Sequence, residues 1–68
     1  MNATEWLEAF AAELGVDAPS EDELGALLAL AAEAAHSSER IAAPVACWLA
    51  ARAGKSPAEA REVATRIG

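Results

Sequence analysis

The sequence predicts an all-α domain, a compact bundle of four short helices. Three observations carry that expectation. Apolar residues recur at helical spacing in four segments, those segments are bounded by capping and stop signals, and no stretch alternates apolar with polar residues as a strand does. Twenty of the 68 residues are alanine, the strongest helix former but a side chain with little area to bury.

The first segment, residues 3–14, opens at Asn2. Its side chain can accept from the Glu5 backbone N–H while the Glu5 carboxylate reaches back, an Asn-x-x-Glu relative of the capping box. Trp6, Phe10 and Leu14, with Leu7 alongside, then keep a helical period, and Gly15 is placed to end the helix in left-handed geometry. The second, residues 21–36, starts after Ser20 with Glu21, Asp22 and Glu23 against the positive end of the helix dipole. Leu24, Leu27, Leu28, Ala31 and Ala35 form its expected inner stripe. Gly25 costs up to about 1 kcal/mol relative to alanine, unless close helix packing needs the small residue.

The third segment is placed at residues 39–53. Ser37 and Ser38 could cap a helix beginning near Glu39, but Pro44 lacks an N–H and disfavours helical geometry at Ala43. Either the helix starts near Pro44, or it starts earlier and kinks there. Ile41, Val45, Trp48 and Leu49 make its apolar stripe, and Gly54 closes it. The fourth, residues 57–67, has Ser56 as cap, Pro57 at the first helical position and Glu59 completing the box, with Val63, Ala64 and Ile67 inward. Short connections favour antiparallel neighbours, and the length allows a single domain, 1–68.

A chain of this size buries only about 60% of the surface its unfolded form exposes. Small scaffolds with thin cores are usually held by disulfides, a metal or a partner. One cysteine cannot form an internal disulfide, and one Cys with one His cannot build a four-ligand zinc site. The expected support is therefore another protein or a second copy of the chain.

Residues 1–36 carry eight acidic side chains and no Lys or Arg; residues 37–68 carry three acidic and five basic ones. Phosphate backbones repel so acidic a chain, so nucleic acid is not an expected partner. Mutual attraction of the two halves within one bundle explains the asymmetry, with a docking face for a basic partner as the alternative. No apolar run reaches 18 residues, because Glu33 and His36 interrupt the Leu24–Ala35 stretch, so no membrane span is expected. Met1–Glu5 lacks the positive region of a signal peptide, and the expected location is cytoplasmic.

No catalytic, cofactor-binding or metal-ligating set is expected. Glu33 and His36 have the i, i+3 spacing of carboxylate-bridged di-metal bundles, but those need two such pairs and the chain has one His. Cys47 with His36 could suggest a nucleophile and its base. Cys47 lies between Val45 and Trp48, however, where a free thiol acts as a small hydrophobe. Ser20 comes too early, and in the wrong sequence, for the prosthetic-group serine of an acyl-carrier protein. The one site-like polar cluster is His36, Ser37, Ser38 and Arg40, which could present cations, hydroxyls and free N–H groups to an anion or a partner. Capping and interhelix hydrogen bonds are the structural explanation of the same residues. Trp6 and Trp48 lie on apolar stripes and are expected in the core, with partial exposure at an interface as the alternative.

The stretch Ala35-His36-Ser37-Ser38-Glu39-Arg40-Ile41-Ala42-Ala43-Pro44-Val45-Ala46-Cys47-Trp48-Leu49-Ala50 resembles a small helical domain family of high-GC bacteria. Glu5-Trp6-Leu7 and Glu13-Leu14-Gly15 extend the likeness toward the N-terminus. Members of that family are commonly labelled molybdopterin-guanine dinucleotide biosynthesis proteins. The resemblance implies an accessory role in molybdenum cofactor maturation, beside a nucleotidyltransferase that holds the catalytic machinery. The present chain lacks the glycine-rich nucleotide loop of such a transferase, and has Ile41 after Arg40 where the family has an Arg-Pro step. His36, Arg40 and Pro44 are the positions that the resemblance carries over.

Overall fold

A computed structural model describes residues 1–67 of the chain. It contains α1 (Ala3–Leu14), α2 (Glu21–Ser37), α3 (Ala42–Arg52) and α4 (Pro57–Ile67), joined by short connections, with no strand among the described residues. The protein is an all-α bundle of four short helices.

Local signals act where they are expected. Three helices begin with reciprocal capping boxes, which satisfy backbone donors that the first helical turn leaves free. The Glu5 N–H donates to Asn2 Oδ1 at 2.8 Å and the Asn2 N–H to Glu5 Oε1 at 3.0 Å. Ser20 and Glu23 repeat the exchange at 3.1 and 2.8 Å, and Ser56 and Glu59 at 3.2 and 2.9 Å. The Ser20 backbone N–H, and after it the Ser20 hydroxyl, hold the Glu23 carboxyl below its ordinary pKa. Glu59 is lowered likewise by the Ser56 backbone N–H first, then the Ser56 hydroxyl and the charge of Lys55.

Two helices stop at glycine. Gly15 has φ +77° and Gly54 φ +71°, a left-handed geometry that residues with a Cβ adopt at a cost. At the first, the Gly15 N–H donates to the Ala12 carbonyl at 3.1 Å and the Val16 N–H to that of Ala11 at 3.0 Å. Gly54 and Lys55 close onto Ala51 and Ala50 in the same Schellman pattern, at 3.1 and 3.0 Å.

The third helix takes the first of the two starts left open by the sequence, near Pro44, and so begins later than residue 39. It begins at Ala42, three residues after Glu39, and Pro44 sits in its first turn rather than at a kink. There the missing N–H leaves no helical bond unmade, because the first-turn donors have no intrahelical partner anyway. Consecutive i to i+3 turns lead in, with the Ala42 and Ala43 N–H groups donating to the Glu39 and Arg40 carbonyls at 2.9 and 3.1 Å. Neither serine caps it. Ile41 holds the cap position without a side-chain hydrogen bond, whereas Ser37 is the last residue of α2 and Ser38 its C-cap.

The long α2 is the centre of the packing. Both α3 and α4 lie against it and touch each other, while the α1 backbone approaches no other helix closely. The link from α1 to α2 runs through side chains: Leu7, Ala18, Pro19 and Leu24 line a small cavity of about 40 Å³ between them. The outline is drawn out to 35 × 23 × 18 Å, with a radius of gyration of 12.4 Å. A chain of this length ordinarily packs to about 11 Å.

Burial differs most from the sequence pattern. Among the described residues only Ala11, Leu30 and Ala50 are buried, and Leu30, 2% exposed, is the one large side chain at the centre. In α2 the inner position therefore belongs to Leu30 rather than Leu28, which is 62% exposed. In α1 the inward residues are Leu7 and Ala11, whereas Trp6, Phe10 and Leu14 face largely outward. Trp48 is exposed as well, so neither tryptophan belongs to the core. Val63 and Ile67 are exposed at the end of α4, and only Ala64 of its expected inner set is half-buried. Two physical reasons account for this: α1 approaches no other helix closely enough to cover its aromatic residues, and the alanine-rich α2, α3 and α4 enclose an interior deep enough for one large side chain.

Candidate functional site

The residues singled out from the sequence sit around the α2–α3 connection. His36 and Ser37 occupy the last turn of α2, Ser38 caps it, Arg40 lies in the following turn, and Pro44 is in the first turn of α3. All five are exposed. No side-chain hydrogen bond among the described residues links them, and none of them lines the grooves described below. They form an open surface in sequence order rather than a converging pocket. Cys47, on α3, is a half-buried free thiol. Among the described residues no group of three or more His, Cys, Asp or Glu side chains is placed to hold a metal ion, and no helix is long and apolar enough to cross a membrane.

The pronounced surface features lie elsewhere, and they are apolar. On α1, Trp6 and Phe10 stand one helical turn apart and stack with ring centroids 5.0 Å apart and planes 22° from parallel. Exposed Leu14 continues the same line one turn further along. On α3, Trp48 is 59% exposed and carries the Arg52 guanidinium over its ring, 5.1 Å from the centroid. This cation–π contact holds a positive charge beside an apolar face.

Between α3 and α4 runs an open groove of about 260 Å³ with Leu30 as part of its lining. Leu49, Val63 and Ile67 are its large side chains, alanines of both helices make up much of the rest, and Lys55 is the one charged residue among those lining it. A second groove, of about 300 Å³, lies between α2 and α4 and is lined by Ala26, Ala29, Ala58, Arg61, Glu62 and Thr65. Reasoning from the sequence did not anticipate the α3–α4 groove. The available signal was the surplus of large apolar residues on α3 and α4, at Val45, Trp48, Leu49, Val63 and Ile67, over what α2 alone can cover.

The total accessible surface is 5299 Å². A folded monomer of this mass ordinarily exposes about 4,000 Å², so the excess is on the order of 1,300 Å². Much of the surface that a bundle normally hides is thus available for contact.

No curated protein and no solved structure matches this chain. Over residues 1–68 it matches the family described as Domain of unknown function (DUF6457), and it belongs to that family.

Proposed function

We propose that this chain is a non-catalytic accessory domain that acts by binding another protein chain. The observation supporting the reading is the exposure of Trp6, Phe10, Trp48 and Leu49, each close to half or more open to solvent, around a core with a single large buried side chain. Aromatic residues supply much of the binding energy where protein surfaces meet, and contiguous apolar patches on soluble chains mark interaction sites. The acidic first half and the Arg52-capped Trp48 add a charge pattern that orients an incoming partner.

The partner class comes from the sequence resemblance alone. It points to a molybdenum-cofactor nucleotidyltransferase, with the domain assisting molybdopterin-guanine dinucleotide formation in the cytoplasm while the transferase performs the chemistry. Light scattering on the purified chain, with and without such a transferase, tests the reading. A defined assembly that is lost on Trp48→Ala supports it. Failure to associate with the transferase at any tested concentration overturns the partner assignment, and failure of the apolar surface to bind any protein chain overturns the accessory reading.

A further inference from the structure

The α3–α4 groove and the outer face of α1 are both open in the same chain. The α1 backbone approaches neither α3 nor α4, so the chain does not cover its own groove. We infer that a second copy covers it: the Trp6–Phe10 face of α1 from each protomer seats on the Leu49–Val63–Ile67 groove of the other, in a two-fold symmetric dimer. This assignment rests on the interaction reading above and identifies one occupant of that apolar surface.

Three observations argue for it. The two patches match in character, since one is a ridge carrying two stacked aromatic rings and the other an apolar groove of about 260 Å³. They also match in charge. Helix α1 carries Glu5, Glu8 and Glu13 with no basic residue, whereas the charged residue lining the groove is Lys55, and residues 42–67, which form it, carry four basic and two acidic side chains. Finally, the surplus surface of on the order of 1,300 Å² exceeds the roughly 800 Å² that each partner contributes to a standard interface. An isologous pair uses each patch twice, so one ridge and one groove per chain close the assembly without leaving either free.

The test is sedimentation velocity on the 68-residue chain from about 1 to 500 µM, with circular dichroism as the check on folding. The wild-type chain is expected to reach twice its 7.0 kDa mass within that range. The ridge variant Trp6→Gln/Phe10→Gln and the groove variant Leu49→Gln/Ile67→Gln each change residues about half or more exposed, so both are expected to keep their helicity and remain monomeric. Mixed together, they recover one intact ridge–groove pair and form a heterodimer that neither makes alone. Lys55→Glu, at an exposed rim position, weakens the wild-type dimer about tenfold or more and leaves the fold untouched should a double variant unfold. A wild-type chain that stays monomeric, a folded double variant that still dimerises, or folded variants that fail to associate when mixed overturns the inference. A monomeric chain that nonetheless binds the transferase overturns the dimer alone, whereas a dimer that ignores the transferase supports it and removes the partner assignment.

Discussion

Trp6 and Phe10 stack 5.0 Å apart on the outer side of α1, with 54% of the tryptophan and 48% of the phenylalanine open to solvent. Their contribution to the fold is that of an exposed aromatic pair, on the order of 1 kcal/mol, and not that of core side chains. Phe10→Ala should accordingly lower unfolding free energy by about 1 kcal/mol, against the roughly 3–5 kcal/mol of a buried phenylalanine. Urea denaturation of the dilute chain measures the difference. Tryptophan emission provides a second readout: with both indoles more than half exposed, the dilute chain emits as a solvated indole does, and emission moves to shorter wavelength when the ridge is covered.

Leu30 and Leu28, two positions apart on α2, should differ sharply in their response to truncation. Leu30 is 2% exposed at the meeting of α2, α3 and α4, so Leu30→Ala removes a side chain that no neighbour replaces. Its cost of about 2–5 kcal/mol approaches the whole stability that a single small core supplies. Loss of much of the helical circular dichroism signal at room temperature is expected. Leu28→Ala, at 62% exposed, should leave the melting temperature within a few degrees of the wild type.

The glycines divide by backbone geometry. Gly25 lies inside α2, and a Cβ built there meets nothing within 4 Å. Gly25→Ala should therefore stabilise the chain by about 0.5–1 kcal/mol, raising the melting temperature by roughly 2–8 °C. Gly15→Ala also meets open space, but its φ of +77° strains any residue with a Cβ. That substitution should cost about 1–2 kcal/mol. Thermal melts of the two variants with opposite signs would confirm that conformation rather than room decides the outcome.

The capping carboxylates make stability depend on acid. Glu23 and Glu59 have pKa values lowered in the folded chain from an ordinary 4.5, because each ionised carboxylate accepts from a serine N–H and hydroxyl. A lowered folded pKa means that the unfolded chain binds protons more readily, so stability rises with pH through this window. The contribution is fully present above about pH 4.5 and is lost as pH falls through the folded values. Melting temperature should be level with respect to these groups from neutral pH down to about 5 and then decline. In Glu23→Gln/Glu59→Gln the acid-side decline should be shallower. Ser56→Ala, which removes a cap, should cost about 1 kcal/mol at neutral pH.

The four helices were legible in the residues because their boundaries are local chemistry. Asn2 with Glu5, Ser20 with Glu23, and Ser56 with Glu59 satisfy donors three residues away, and Gly15 and Gly54 turn the chain within a single residue. None of those interactions depends on what packs above them. The start of α3 was less legible because no side chain caps it, and Pro44 tolerates several starting points within its first turn. The candidate cluster at His36, Ser37, Ser38 and Arg40 was visible as a run of polar residues, but adjacency in sequence did not make it a pocket.

What the sequence determined by itself is the all-α class, the helix caps and the excess of alanine that keeps the core thin. What only the tertiary structure decided is which apolar residues go inside. Trp6, Phe10, Trp48, Leu49 and Val63 are periodic hydrophobes that stay exposed, whereas Leu30, outside the stripe expected of α2, is enclosed. Burial depends on the arrangement of all the helices together: α3 and α4 both pack on α2, and α1 stands apart. Periodicity identifies the apolar face of each helix, but the number of neighbours available to cover that face is a property of the assembled fold.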